Sequence, residues 1–322
     1  MVKKTHKKRL ILLDSHAIIH RAYHALPEFS NTKGEPTGAL YGLVAMLLKI
    51  VQELKPDYII ATFDLSGPTF RHHVAESYKA GRKENDANLE LQLTRSLDLF
   101  KAFNIPVYSQ EGFEADDVIG TIVHRLKKDK NVEIIIASGD MDTMQLVDGK
   151  KVQVYTLKKG INDTILYDEE KMRERFGFSP EYLVDYKGLR GDPSDNIMGV
   201  KGIGEKGATT LIQEFGSIEN IYKNLKKVKP ERLRRLLEEN EEEALFSKTL
   251  ATIRIDAPID FKLPPEWKPN FKLEPVLELF KELGFRTLTE RVKKLFGDKK
   301  TTSSPTSSMF TETSEAKELL LA

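Results

Sequence analysis

The sequence predicts an α/β protein: a mostly parallel sheet flanked by helices, followed by an all-helical region. Three observations carry this. Short β-branched apolar runs alternate with longer segments of helical period through the first two-thirds of the chain, the pattern of a parallel sheet covered on both faces. From about residue 168 the pattern turns almost wholly helical. With 322 residues, 40% hydrophobic and 31% charged, the chain can bury one large or two modest cores, which excludes a mostly disordered protein.

In chain order, residues 9–13, 58–63, 132–137 and 152–155 read as strands, uniformly apolar as strands buried on two sides must be. Between them, 39–54, 89–103 and 115–128 place apolar residues at helical spacing. A glycine-rich turn at 199–204 interrupts the helical region, and Pro230 fits the start of a charged helix. Pro258, Pro264, Pro265 and Pro269 punctuate an irregular stretch before short helices near 273–283 and 287–296. Residues 297–322, rich in Ser and Thr, read as a flexible tail or linker. The expected division is an α/β domain over 1–185, a helical region over 186–296 and the tail.

The chain has no cysteine, which removes disulfides, thiolate metal sites and a Cys nucleophile, and fits a reducing compartment. Its apolar runs fall far short of the roughly 20 residues that span a bilayer. The basic N-terminus runs straight into a strand-like segment and does not read as a secretory signal. A cytoplasmic protein with no membrane partner is expected. Net charge is only +1, from 50 Lys and Arg against 49 Asp and Glu, so the distribution says more than the total.

Three strands end near aspartates: LILLD gives Asp14, IIATFD gives Asp64, and IIIASGD gives Asp140 with Asp142 two residues later. Ligand sites of open parallel sheets lie beyond the carboxyl ends of the strands, so these should converge. Glu114, Asp116 and Asp117 sit in the first turn of a helix, and Asp192 and Asp195 on the GDPSDN loop. Any one cluster is accounted for by helix capping or turn formation. Nine carboxylates at one edge are too many for caps. Two carboxylates ~4 Å apart repel by about 4 kcal/mol at an effective dielectric of 20, so the cluster calls for cations. All-oxygen ligands favour Mg²⁺ or Mn²⁺, and a pair of such ions suits phosphodiester cleavage.

Between two of these clusters runs a basic segment with Arg71, Tyr78, Lys79, Arg82 and Lys83, suited to nucleic acid through phosphate pairing and base stacking, or simply a solvated basic helix. It links two strands that end at the acidic edge, so it must pass near the proposed ions. In GVKGIGEKGA, Gly199, Gly202 and Gly204 let backbone approach a phosphate, the helix from about Glu205 offers its amides, and Lys201 and Lys206 add charge. Placed directly after the last acidic cluster, this reads as a helix-hairpin-helix gripping duplex backbone without reading sequence.

Taken together, LLDSHAIIHRAYHAL, FDLSGPTFRHHVAESYKAGR, GFEADDVIG, SGDMDTMQLV and GDPSDNIMGVKGIGEKGA resemble, in order over about residues 9–296, the 5′-3′ exonuclease (5′ nuclease) domain of bacterial DNA polymerase I and its kin among phage 5′ exonucleases and flap endonucleases. The resemblance implies a PIN-like core, a helical arch over about 70–100, and a helix-three-turn-helix DNA-binding region that holds a monovalent cation, often K⁺, on its hairpin carbonyls. It assigns Asp14, Asp64, Glu114, Asp116 and Asp117 to a first metal site and Asp140, Asp142, Asp192 and Asp195 to a second. It places Lys79 and Arg82 on the scissile phosphate as catalytic groups, stacks Tyr78 on the displaced nucleotide, and makes Arg21 and Arg71 further substrate contacts. Two departures stand out: Ser15 follows the first Asp where the family often has Gly, and KENDANLE continues the arch without its usual proline.

The expectation is a Mg²⁺-dependent 5′-3′ exonuclease and flap endonuclease acting on 5′ flaps, nicks and RNA primers in replication and repair. It is expected as a monomer, either free-standing or the N-terminal part of a longer polymerase. The alternatives are a PIN-type ribonuclease acting on single-stranded RNA and a non-catalytic DNA-junction binder.

Overall fold

The structure, a computed structural model, describes residues 7–81, 85–159 and 163–297. Its centre is a six-stranded sheet in the order β3-β2-β1-β4-β5-β6, made of β1 (Lys8–Asp14), β2 (Tyr58–Thr62), β3 (Val107–Tyr108), β4 (Val132–Ala137), β5 (Val152–Lys159) and β6 (Asp163–Tyr167). Strands β3 to β5 pair in parallel, and β6 runs antiparallel to β5 at one edge. The four expected strands are present. The two-residue β3 is too short to show a period in the sequence, and the edge strand β6, DTILY, is a further strand beyond the four read in the sequence.

Register sets the site. Leu13 lies opposite both Ala61 and Ala137, so β1, β2 and β4 end level with one another. Side chains alternate between the two faces. Ile11 and Leu13 enter one hydrophobic cluster with Ile59 and Ile135, while Leu10 and Leu12 enter the other with Ile60 and Ile134.

Helices α1 (Ser15–Ala25), α2 (Gly38–Leu54) and α4 (Ala87–Ala102) cover the first face, and α5 (Ala115–Leu126) the second; the short α3 (Phe70–Val74) lies between β2 and α4. The remaining helices are α6 (Glu169–Phe176), α7 (Leu183–Arg190), α8 (Glu205–Phe215), α9 (Ile218–Lys223), α10 (Glu231–Glu239), α11 (Glu241–Ala251), α12 (Trp267–Asn270), α13 (Leu273–Leu283) and α14 (Arg286–Phe296). Among the described residues, no helix is long and apolar enough to cross a membrane.

Two expectations change. The helical region is not one body from 186 to 296. Its first helix, α7, already begins at Leu183, and α13 and α14 return to the first face of the sheet, where Trp267, Val276, Phe280, Leu288 and Val292 join the core around Phe100 and Phe103. Much of the expected arch is also core: α4 buries Leu89, Leu93, Leu99 and Phe100, while His72 of α3, Lys79 of the turn 75–81, and Asn85, Asp86 and Leu89 at the start of α4 line the site. The tail expected at 297–322 lies, beyond Gly297, outside the described residues.

Candidate functional site

At the carboxyl edge of the sheet lies an open cleft of about 1480 Å³. Seven of the nine expected carboxylates line it: Asp14, Asp64, Glu114, Asp116, Asp140, Asp142 and Asp192. Asp14 ends β1 and caps α1, accepting from the Ala17 amide at 3.1 Å and from Ser138 Oγ at 2.5 Å. Asp64 accepts from the Ala115 amide at 2.6 Å, where α5 begins and its dipole favours an anion. Asp140 accepts from the Asp142 amide at 2.9 Å, which fixes the turn after β4.

Crowding shows in the protonation equilibria. Burial, then Asp64 and Asp140, push the Asp14 carboxyl up to about 7. Burial, then Asp140, push Asp142 up to about 7 against the pull of Lys187. Asp116 is raised well above the carboxylate range by burial and by Asp14, Asp140, Asp142 and Asp64, which places it at the centre of the repulsion. Lys187 partly offsets this charge. It is nearly buried on α7 and bridges Asp142 and Asp192, the latter at 2.6 Å. Burial alone would raise Asp192, yet Lys187 holds it below the usual range.

The donors are all oxygen, and their mutual repulsion calls for a cation, so the residues fit hard divalent ions. Among the described residues no three His, Asp or Glu side chains form a ready-made coordination shell. That arrangement still suits Mg²⁺, which keeps several waters and needs only one or two carboxylates.

Without cations the cluster opposes folding at neutral pH. A folded-state pKa above the unfolded value means that the folded chain binds more protons, so stability falls as pH rises between the two. For Asp14 and Asp142 that interval runs from 3.8 to about 7. Their contribution is intact below about pH 4, is lost progressively to about pH 7 and stays lost above. In EDTA, the thermal unfolding midpoint is expected to drop between pH 5 and pH 8, and millimolar Mg²⁺ at pH 8 to restore it. A midpoint at pH 8 indifferent to Mg²⁺ would count against the cation site.

The other two acidic residues do not line the cleft. Asp117 is 0% exposed and faces away from the cleft, receiving Arg71 Nη1 and Nη2 at 2.8 Å each and the Arg254 amide at 2.8 Å. Asp195 accepts from the Tyr78 hydroxyl at 3.1 Å and does not line the cleft. Their partners are buried with them. Arg71, 3% exposed, spends its remaining donors on Glu114 and on the carbonyls of Leu250 and Thr252, so it ties α3 to α5 and α11. The Tyr78 ring is buried with Ala75, Ile197, Leu250 and Ala251, and offers no stacking face.

Glu114 turns to the segment above it, accepting from Lys79 Nζ at 2.7 Å, Tyr78 at 3.2 Å and Arg71 at 3.3 Å. Lys79 lines the cleft, while Arg82 lies outside the described residues. Arg21 is partly exposed on α1, beside Gly139. On the hairpin between α7 and α8, Lys201, Gly202, Gly204 and Lys206 are all exposed, and Gly202 has φ +92, a left-handed backbone that favours glycine.

Sequence reasoning missed Lys187, a cation whose partners lie five and 45 residues away. It also missed His16, His20 and His24, which line one wall of the cleft. Their i, i+4, i+8 spacing on α1 was the available signal. His16 accepts from the Asp64 amide through Nδ1 at 3.2 Å, and burial lowers its pKa, so it is the neutral ring that faces Asp64.

Comparison with known proteins agrees with this architecture. The family model described as 5′-3′ exonuclease, N-terminal resolvase-like domain, matches residues 9–177, and that described as 5′-3′ exonuclease, C-terminal SAM fold, matches residues 178–270. DNA polymerase I of Bacillus caldotenax is 42% identical over 287 residues, covering 89% of this chain and 32% of the relative. The thermostable DNA polymerase I of Thermus thermophilus is 36% identical over 299 residues, covering 93% of this chain and 35% of the relative. The chain thus spans about a third of the length of these relatives. In fold it is similar to a T5 5′-exonuclease structure with bound zinc ions, at TM-score 0.62 and 20% identity, covering 89% of this chain and 99% of that one. It is also similar to the catalytic core of Rad2 in complex with DNA substrate, at TM-score 0.55 and 16% identity, covering 92% and 95%.

Proposed function

The chain belongs to the 5′-3′ exonuclease family, and from that premise we propose that it is a cytoplasmic, structure-specific 5′ nuclease that hydrolyses phosphodiester bonds of DNA near the junction of single strand and duplex. The observation that carries this is the acidic edge: Asp14, Asp116 and Asp142 are crowded enough to resist ionising, although each sits where a polyanion would have to approach. Divalent ions, Mg²⁺ with Mn²⁺ as a substitute, held by Asp14, Asp64, Asp116, Asp140 and Asp142 would neutralise that charge, activate water and stabilise the departing oxygen.

The chain's own side chains do the rest. Lys79 leaves Glu114 for the scissile phosphate, assisted by Arg82, and brings positive charge to where negative charge grows. Glu114, tied to the start of α5, defines where Lys79 waits. The exposed hairpin amides with Lys201 and Lys206 hold duplex phosphates without reading bases, and Arg21 adds a contact from α1. A monovalent cation such as K⁺ on the hairpin carbonyls would strengthen that grip. The proposed substrates are 5′ flaps, nicks and RNA primers, handled by a monomer beside a linked or separate polymerase.

One assay tests this reading. A 5′-flap DNA should be cut near its junction with Mg²⁺ and left intact in EDTA, giving 5′-phosphate ends. Preference for plain single-stranded RNA would indicate a ribonuclease instead. Flap binding with no cleavage at any Mg²⁺ concentration would indicate a junction binder.

A further inference from the structure

The turn 75–81 and the loop 191–197 come from opposite halves of the sequence, yet they are built as one body. The Asn196 side-chain amide donates to the Ser77 carbonyl at 2.7 Å, and the Lys79 amide donates to the Asp195 carbonyl at 2.9 Å. Between these two bonds the Tyr78 hydroxyl spans Asp195 at 3.1 Å and Glu114 at 3.2 Å. Beneath them Tyr78, Ala75, Ile197, Leu250 and Ala251 close a small hydrophobic cluster separate from both main cores. Asn196 and Lys79 both adopt left-handed backbone, at φ +56 and +55, so each strand of the joint turns sharply at the contact. Asparagine is among the few side chains that take this conformation readily.

The two partners of this joint face different ends of the substrate in the function proposed above, on which the inference rests. The turn carries Lys79 into the cleft. The loop leads directly, through Gly199, into the hairpin that exposes Lys201 and Lys206. At its other end the same loop places Asp192 against Lys187. A rigid joint between them fixes how far the phosphate-holding lysine stands from the duplex-holding hairpin.

We infer that Asn196 and Tyr78 are positioning residues: they lock the turn that carries Lys79 to the loop that carries the hairpin, and so set which phosphodiester is cut relative to the junction. Their hydrogen bonds act as a ruler between grip and chemistry. Loosening either lets the turn move against the hairpin, and neighbouring bonds enter register.

The test is the distribution of product lengths from an end-labelled 5′-flap DNA, read at single-nucleotide resolution with Mg²⁺. Asn196→Gly keeps the left-handed backbone at no steric cost and removes only the amide bond to Ser77. Tyr78→Phe keeps the buried ring and removes only the hydroxyl, whose single proton is shared between Asp195 and Glu114. In each, the ratio of the main product to its neighbours is expected to fall about fivefold, the change that one lost hydrogen bond carries. Affinity for the duplex arm alone should stay as in the wild type, because the hairpin surface is untouched. Sharp wild-type products alongside unchanged ratios in both variants would overturn the inference and leave the nuclease reading standing. So would a lower thermal midpoint with unchanged ratios, which would mark a purely structural joint. A wild-type chain that cuts no flap would overturn the proposed function, and the inference with it.

Discussion

Asp140→Asn is expected to suppress cleavage of flapped DNA, lowering turnover by about 10²- to 10³-fold, the scale of losing one preorganised electrostatic group at a reacting centre. The substitution is nearly isosteric, and an asparagine Oδ1 can still accept from the Asp142 amide, so the turn after β4 should survive. What goes is charge at a position that repels Asp14, Asp116 and Asp142 alike. Affinity for the flap should hold, because the exposed hairpin at 201–206 lies on other elements. Turnover and binding are measured separately, by single-turnover cleavage and by anisotropy in Ca²⁺. Wild-type turnover in Asp140→Asn would refute the assignment of this edge to divalent ions.

Arg71→Met is expected to cost about 3–5 kcal/mol of stability, the range for removing one partner of a buried ion pair. The loss follows from what stays behind: a fully buried Asp117 left with backbone amides, and the Leu250 and Thr252 carbonyls left without their donor. Denaturant unfolding reads it directly. Replacing both charges, Arg71→Met with Asp117→Leu, should recover part of the loss, because the uncompensated buried charge is gone while the Leu250 and Thr252 carbonyls and the Glu114 and Arg254 amides stay without those partners. The rival outcome is a variant of wild-type stability that binds flapped DNA poorly, which would return Arg71 to the substrate.

These two residues also show where the sequence could be read and where it could not. Asp14, Asp64 and Asp140 were legible because each follows an apolar strand, and parallel strands in register must end together. Asp116 was legible as part of a first helical turn, but Asp117, its neighbour, was not separable from it. Successive helical residues point about 100° apart, and only the tertiary partner decides which faces the cleft. For Asp117 that partner is 46 residues away. Tyr78 misled for a related reason: an aromatic among basic residues suits a nucleic acid, and here its ring completes a small core while its hydroxyl satisfies two carboxylates. The hairpin was found whole because its glycines are local. The return of α13 and α14 to the sheet was missed because a helix's apolar stripe states that it packs, and leaves open against what.

That return binds the beginning of the chain to its end. Strand β1 and helix α2 lie within the first 54 residues, yet the oily surface they share with Phe100 and Phe103 is roofed by Phe280, Leu288 and Val292. During synthesis, the outer sides of α2 and α4 therefore wait bare until residue 296 has been made. A fragment stopped at residue 270, where the family's own match ends, would keep every acidic residue of the cleft and lack the lid on its foundations.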